Sequence, residues 1–338
     1  MIDSIIFEKI LNTGLIILNR PKALNALNLE MAELFLTQLE EWKLDKNIKR
    51  ILITGEGKSF CAGGDIKAMF YSTGKSELKK NFLFKEYTLN YAINQFPKPY
   101  LSIWDGIVMG GGVGLSIYGN IRMATQNSKF AMPETAIGFF PDVGSSYFLS
   151  RISNNVGLYL ALTGEVIGPK EMLYFGLANN FQNSEKIEKI KEKYIKEGIV
   201  PISENIKQTK TSEIINNKKF IEKTFRGNIN SIMKLLEESS LEFANKTYEH
   251  LLTRCPMSLA ITCELLKKAK NLSLKECLQI EYQLSQHIVY RNDFNNGIDA
   301  VLVSKTHNPI WSPSSIHDIN FNDVTEFFKP HKEPLNLI

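Results

Sequence analysis

Two acidic side chains, Glu134 and Asp142, lie close together in the apolar and turn-rich segment 131–144. Apolar neighbours would exclude water from a carboxylate and raise its pKa, and two neighbouring carboxylates hold different pKa values because they repel each other. One of the pair could then serve as a base or nucleophile and the other as an acid. The alternative is that Glu134 caps a turn and that Asp142 caps a helix beginning near Ser145.

Two glycine-rich turns each follow a predicted strand and precede a predicted helix. They span residues 59–67, which include Gly63 and Gly64, and residues 105–112, which end in three glycines. Glycine permits positive φ and close approach of a ligand to the backbone, and N–H groups at a helix start favour an anionic oxygen. Together the turns would offer two N–H donors to one carbonyl oxygen, which is an oxyanion hole. Taken singly, each is more simply an ordinary tight turn.

Other glycine- and histidine-based motifs are incomplete in this sequence. Residues 57–59 resemble the end of a P-loop, but Leu52 stands where its first glycine is required. The run 110–114 lacks the third glycine of a dinucleotide-binding fingerprint. The five histidines are scattered without the spacing of a zinc site. We therefore expect neither of these nucleotide-binding motifs nor a metal centre.

Strand-like and helix-like segments alternate over the first two-thirds of the chain. Predicted strands are 5–10, 15–18, 51–54, 100–104, 121–124 and 129–131, and predicted helices are 29–44, 78–94, 257–270 and 274–290. This order is typical of α/β units with mostly parallel strands. After about residue 180 helical patterns prevail, so we expect a core with the binding and catalytic site over 1–180 and a mainly helical region over 181–338.

The composition is that of an ordinary globular protein. The 338 residues are 43% hydrophobic and 22% charged, and 40 basic against 36 acidic side chains give a net charge of +4. This charge is too small to indicate a nucleic-acid partner. The four cysteines form no C-x-x-C pair, which favours free thiols in a reducing compartment. No targeting pattern or membrane-length apolar run is present, so we expect a cytoplasmic chain that does not bind membranes.

Several segments together resemble the crotonase (enoyl-CoA hydratase/isomerase) superfamily, and within it a hydrolase subgroup. They are residues 18–27, 60–66, 109–115, 132–144, 281–286, 292–305 and 309–311. The resemblance covers nearly the whole chain. It implies an α/β fold, the crotonase spiral of β-β-α units with a helical C-terminal region, and hydrolysis of a short 3-hydroxyacyl-CoA thioester.

The resemblance also implies roles for individual residues. Gly64 and Gly111 would donate backbone N–H groups to the thioester carbonyl, Glu134 and Asp142 would form the catalytic pair, and Glu86 would contact the substrate. The CoA-binding residues would be Lys22, Ala23, Ala62, Gly63, Gly64, Asp65 and Ile66. CoA enters as part of the acyl-CoA substrate, no metal or other cofactor is implied, and the family resemblance allows a homo-oligomer.

Position 114 argues against one reaction of the superfamily. Its hydratases carry a glutamate three residues after the second glycine of the 110–112 turn, and here that residue is Gly114. Water addition needs one group to deprotonate and another to reprotonate. Two alternatives stay open: enoyl-CoA isomerisation with Glu134 as the sole acid–base group, and a non-catalytic role like that of ribosome-associated relatives.

The residues after the acidic pair depart from part of the hydrolase subgroup. Some hydrolases have further glycines there, whereas this chain has Ser145 and Ser146. Either serine could cap the helix that follows.

Overall fold

The computed structural model describes residues 3–72, 76–206, 211–330 and 333–337. Its strands are β1 Ile5–Ile10, β2 Thr13–Leu18, β3 Arg50–Gly55, β4 Ser59–Cys61, β5 Tyr100–Trp104, β6 Ile107–Met109, β7 Ile121–Ala124, β8 Lys129–Ala131 and β9 Asn180–Phe181. Its α-helices are α1 Leu29–Leu44, α2 Ile66–Tyr71, α3 Leu78–Asn94, α4 Gly111–Gly114, α5 Ser145–Leu149, α6 Val156–Thr163, α7 Pro169–Tyr174, α8 Ile187–Glu197, α9 Glu213–Asn216, α10 Lys218–Thr224, α11 Ile229–Glu237, α12 Glu242–Leu252, α13 Pro256–Ala269, α14 Leu274–Ile288, α15 Asn292–Ile298 and α16 Phe321–Phe327. None of the helices in these ranges is long and apolar enough to cross a membrane.

These elements form two compact units that interleave along the chain. Unit 1 comprises the described residues of 1–65, 85–131 and 166–210, and unit 2 comprises those of 66–84, 132–165 and 211–338. The domain bounds expected from composition, 1–180 and 181–338, stay a prediction.

All strands named above lie in unit 1, where they form two sheets. The larger sheet has the order β1-β2-β3-β5-β7-β9, and the smaller has the order β4-β6-β8. Strands β1 and β2 are antiparallel, and the remaining pairs of the strands named above are parallel. From β3 to β8, consecutive strands alternate between the two sheets. The predicted α/β class with repeated β-β pairs is therefore confirmed.

The larger sheet buries apolar side chains against helix α8. The buried cluster consists of Leu15, Leu52, Leu101, Ile103, Met123, Ile187, Ile190 and Tyr194. The first five come from strands, and the last three are spaced three and four residues apart, so they share one face of α8. Full burial of such a side chain is worth about 1.5–3 kcal/mol relative to exposure. Helix α8 is thus fixed to the sheet by its apolar face.

Local signals placed several elements of unit 1 correctly. Asn28 caps α1, because its side-chain oxygen accepts the Met31 N–H at 2.8 Å. Strands β5, β7 and β8 have their predicted bounds. Strand β2 begins at Thr13 rather than at the predicted Leu15, since Thr13 and Gly14 already pair with β3.

Unit 2 is helical and is organised around α13. Most side chains of α13 are buried, and it packs against α5, α6, α11 and α16. Ser273 then begins α14 with a capping box: its hydroxyl accepts the Glu276 N–H, and the Glu276 carboxylate accepts the Ser273 N–H at 2.7 Å. This cap confirms the break predicted between the two helices.

Candidate active site

The two glycine-rich turns lie side by side in unit 1. Strands β4 and β6 are parallel neighbours in the smaller sheet, so the turns that follow them leave the same edge of that sheet. A methyl group in place of the Gly111 hydrogen would lie 3.1 Å from the Gly64 nitrogen. The structure therefore brings together the two glycines that were predicted to form an oxyanion hole.

The N–H groups of both glycines are left without an acceptor by the local backbone pairing. Gly111 is the first residue of α4, where an N–H has no partner within the helix. Gly64 pairs with Leu27 through hydrogen bonds of its two neighbours and not through its own N–H group. The Leu27 N–H donates to the Gly63 carbonyl at 2.9 Å, and the Asp65 N–H donates to the Leu27 carbonyl at 2.7 Å. Within the described ranges, neither Gly64 nor Gly111 donates a backbone hydrogen bond. Two such donors are what an oxyanion hole requires.

Glu86 lies beside this donor pair. It belongs to α3, is buried, and its Oε1 would overlap a methyl group placed on Gly111. Burial raises the pKa of the Cys61 thiol to about 12, and the charge of Glu86 contributes to that rise. The carboxyl group is thus next to the donors, and its contact with substrate stays a prediction.

The predicted CoA-binding residues fall mainly in two joined segments of unit 1. Lys22 and Ala23 lie in the exposed turn Pro21–Ala23, and the Ala62 N–H donates to the Leu24 carbonyl at 3.0 Å. The remaining members, Gly63, Gly64 and Asp65, follow β4, and Ile66 begins α2 in unit 2. Their contact with CoA stays a prediction.

Two residues that join these segments were not predicted from the sequence. Asn25 is fully buried, donates to the carbonyls of Glu56 and Ser59 at 2.9 and 2.7 Å, and accepts the Arg20 N–H. The Arg20 guanidinium donates to the Asp65 carboxylate at 2.8 Å. Asn25 has φ 59°, and asparagine is one of the few residues that adopts this left-handed conformation readily. That tolerance is the one signal in the sequence that could have identified it.

The acidic pair lies in unit 2 and is buried, with Glu134 7% and Asp142 6% exposed. Glu134 is the first residue of a 3₁₀ turn that ends at Ile137, and Gly138, at φ 70°, closes that turn. In the described part of the chain, Glu134 Oε2 has no hydrogen-bond partner. Burial raises the pKa of Glu134 well above its usual range, and the charges of Asp142 and then Glu281 raise it further. A buried carboxyl whose pKa is raised in this way is a candidate for general acid–base or nucleophilic chemistry.

A third carboxyl, Glu281 of α14, completes this cluster and was not predicted to act there. It is fully buried; Oε2 accepts the Gly144 N–H at 2.5 Å, and Oε1 accepts the Ser146 N–H at 3.0 Å and the Ser146 hydroxyl at 2.5 Å. Burial raises the pKa of Glu281 to about 8 even though these hydrogen bonds oppose the shift. The sequence signal was its place in the apolar stripe of α14, with Leu274, Cys277 and Leu278.

The helix after the acidic pair is not capped as the sequence suggested. Both Ser145 and Ser146 lie inside α5, whose N-cap is Gly144 without a side-chain cap. The prediction that either serine caps this helix is therefore wrong, and Asp142 does not occupy the N-cap either. The physical reason is that Glu281 takes the hydrogen bonds of this turn from outside the helix.

Comparison with known proteins decides the family. Residues 13–328 match the family model described as enoyl-CoA hydratase/isomerase. The chain belongs to this family. The resemblance of the sequence motifs to the enoyl-CoA hydratase/isomerase superfamily is thereby confirmed.

Two curated relatives and one solved structure illustrate the place of the chain in the enoyl-CoA hydratase/isomerase family. It is 40% identical over 331 residues to the mitochondrial 3-hydroxyisobutyryl-CoA hydrolase of Xenopus laevis, covering 93% of this chain and 86% of the relative. It is 38% identical over 344 residues to the human protein of the same name, covering 97% and 89%. A carnitinyl-CoA dehydratase from Mycobacterium thermoresistibile superposes with a TM-score of 0.92 at 33% identity, covering 99% and 98%. These matches confirm the predicted crotonase fold.

The relatives also correct the expected location. Both curated members of the enoyl-CoA hydratase/isomerase family described above are named as mitochondrial proteins. These names point to mitochondria rather than to the cytoplasm, so the prediction of a cytoplasmic chain is wrong. That prediction rested on the unpaired cysteines and on the lack of a targeting pattern or a membrane-length apolar run, and such patterns do not determine a compartment.

Proposed function

We propose that this chain hydrolyses the thioester of 3-hydroxyisobutyryl-CoA to free CoA and the 3-hydroxy acid. The observation that carries the proposal is the buried pair Glu134 and Asp142, in which burial and mutual repulsion raise the pKa of Glu134. The names of the curated relatives support the same reaction. The proposed substrate is an intermediate of valine degradation, and we place the chain in that pathway.

The glycine turns of unit 1 would stabilise the charge that develops on the carbonyl oxygen. In this proposal the N–H groups of Gly64 and Gly111 donate to the thioester oxygen, which becomes negative as the carbonyl carbon is attacked. Such donors stabilise the transition state more than the ground state, and loss of one typically lowers the rate by about 10²–10³-fold. Hydrolysis exchanges a carbon–sulfur bond for a carbon–oxygen bond and involves no redox step, and in this proposal the two backbone donors polarise the carbonyl.

The carboxyls of unit 2 would move the protons of the same reaction. Glu134 either attacks the carbonyl to give an anhydride that water then opens, or removes a proton from the attacking water. In both routes the carbon–sulfur bond breaks and the CoA thiolate takes up a proton. Asp142 would hold the 3-hydroxyl of the acyl group and assist that proton transfer.

A double-bond reaction is the second candidate, because the solved neighbour is named a carnitinyl-CoA dehydratase. In this chain Gly114 is the last residue of α4. It has no side chain at the position where the hydratases of the superfamily carry a glutamate. Addition or removal of water then lacks one of the two acid–base groups that the hydratases use, which favours hydrolysis.

Substrate choice within the hydrolase reaction is a finer part of the proposal. 3-Hydroxypropionyl-CoA, which lacks one methyl group, is expected as a second substrate. A pocket discriminates between acyl groups that differ by one methyl by only about 1–3 kcal/mol. We therefore expect a preference for 3-hydroxyisobutyryl-CoA rather than an absolute requirement.

Thiol release from 3-hydroxyisobutyryl-CoA, followed with a thiol-reactive dye, tests the proposal. We expect release by the wild-type chain and its near-complete loss in Glu134→Ala and Asp142→Ala. Glu249→Ala, an exposed carboxylate of α12 in the same unit, is the matched control and should keep full activity. Hydration of crotonyl-CoA is measured in parallel. Double-bond chemistry without thiol release would overturn the hydrolase proposal.

A further inference from the structure

The turn that follows Asp142 has a conformation that its residues do not favour. Val143 has φ 54° and Gly144 has φ 77°, so two consecutive residues are left-handed. Glycine adopts this region freely, but a β-branched valine does so at an energetic cost. Such a conformation persists only where the surrounding structure imposes it. Something outside the turn must therefore hold it.

Glu281 supplies that restraint from α14. Its two carboxyl oxygens accept the hydrogen bonds from Gly144 and Ser146 described above, directly after the strained residue. The helix is itself fixed by the capping box at Ser273 and by its buried apolar stripe. The carboxyl therefore connects a rigid helix to Gly144 and Ser146, which lie one and three residues after Val143.

The pattern of donors makes a carboxyl group necessary at this position. Oε2 faces the Gly144 N–H and Oε1 faces the Ser146 N–H. A glutamine amide carries one acceptor oxygen, so in either orientation its NH₂ group would face an N–H donor. The same geometry explains why a serine at position 146 is accommodated, since its hydroxyl reaches Glu281 Oε1.

We propose that Glu281 is a positioning residue that holds the turn 142–144 in its left-handed conformation and thereby fixes the Asp142 carboxyl for proton transfer. This inference rests on the proposed thioester hydrolysis. Glu281 has no contact with the reacting atoms in this role and acts through Asp142.

The substitution Glu281→Gln tests the inference, with kcat and KM measured separately for 3-hydroxyisobutyryl-CoA. We expect kcat to fall by about 10–100-fold because a displaced acid misaligns the proton transfer, while KM changes by less than about threefold. Glu249→Gln is the matched control: it makes the same change at an exposed position of α12 in the same unit and should leave kcat unchanged. A purely structural role would lower the Tm of Glu281→Gln and leave its kcat at wild-type level.

A double-mutant cycle with Asp142→Asn tests whether Glu281 acts through Asp142. We expect the double variant to be within about threefold of Asp142→Asn alone, because the position of a missing acid no longer matters. Additive losses would overturn the inference, as would an unchanged kcat in Glu281→Gln.

Ser146→Ala is a second variant that removes one of the three hydrogen bonds to Glu281. We expect a smaller loss of kcat, and this variant replaces Glu281→Gln in the double-mutant cycle if Glu281→Gln does not fold. A wild-type chain that releases no thiol would overturn the proposed function together with this inference, whereas a normal wild type with an additive cycle overturns the inference alone.

Discussion

At Gly111, the addition of a single methyl group should lower the rate of thiol release sharply. In Gly111→Ala the new Cβ would overlap Glu86 Oε1 and lie 3.1 Å from the Gly64 nitrogen, so both proposed donors would shift. We expect kcat for thiol release to fall by about 10²–10³-fold or more. Gly168→Ala is the control, because its Cβ meets only ordinary contact at 3.5 Å. Equal activity of the two variants would contradict the assignment of Gly111 as a donor.

The charge of Asp142 should be visible in the pH profile of the enzyme. Protonated Glu134 can neither attack nor accept a proton, so kcat/KM should fall as the pH drops through the raised pKa of Glu134. Burial is the larger cause of that rise and the Asp142 charge is the next. Asp142→Asn removes a negative charge, which favours ionised Glu134 and should move the acidic limb to lower pH. We expect to see this shift in the pH profile of the residual activity of Asp142→Asn, and Glu249→Gln, as the control, should leave the profile unchanged. An acidic limb at the wild-type pH in Asp142→Asn would show that the two carboxyls do not interact.

At the scale of elements, α15 fixes the turn that carries Glu134. A Cβ on Gly297 would overlap the backbone of Ile137, and one on Gly138 would overlap the backbone of Asp293. The helix and the turn therefore approach each other too closely for any side chain. We infer that this contact sets the direction of Glu134.

The substitution Gly297→Ala tests that contact. Overpacking against backbone should lower the free energy of unfolding by about 1–3 kcal/mol, measured by urea denaturation, and should lower kcat because the turn shifts. Asn292→Ala, at an exposed position of the same helix, should change neither quantity appreciably. A stable and fully active Gly297→Ala would show that the turn tolerates displacement.

Elements with local signals were predictable, and contacts between distant segments were not. Helix α3 and strands β5, β7 and β8 follow from periodicity and from Gly and Pro breaks, which act over a few residues. The bond from Glu281 to Ser146 joins positions 135 residues apart, and no spacing rule reaches that far. The acidic pair was found because both members lie in one short segment, whereas the third carboxyl entered only when folding placed α14 against it.

At the scale of the whole molecule, the four thiols should report unfolding. Cys61, Cys255, Cys263 and Cys277 are free and buried, and burial raises their pKa values to about 12, 11, 12 and 11, respectively. A thiol reacts as its thiolate, so the native chain should react slowly with a thiol-reactive dye and the denatured chain should show four thiols. The same experiment measures how much of the dye signal in the thiol-release assay comes from the protein's own thiols. Rapid labelling of the native chain would contradict the burial of these side chains.

The homo-oligomer that the family resemblance allows stays a prediction at this scale. Light scattering of the purified chain would measure its mass in solution directly.

The interleaving of the two units has a consequence for how the chain can be made. Unit 1 receives its last segment only from residues 166–210, and unit 2 already contains residues 66–84. During synthesis the apolar face of the larger sheet therefore stays exposed until α8 has been made, because that face is covered by Ile187, Ile190 and Tyr194. A nascent chain released near residue 180 would lack that cover and should depend on chaperones or aggregate. The ribosome must thus extend the chain well beyond the last strand before either unit can be completed.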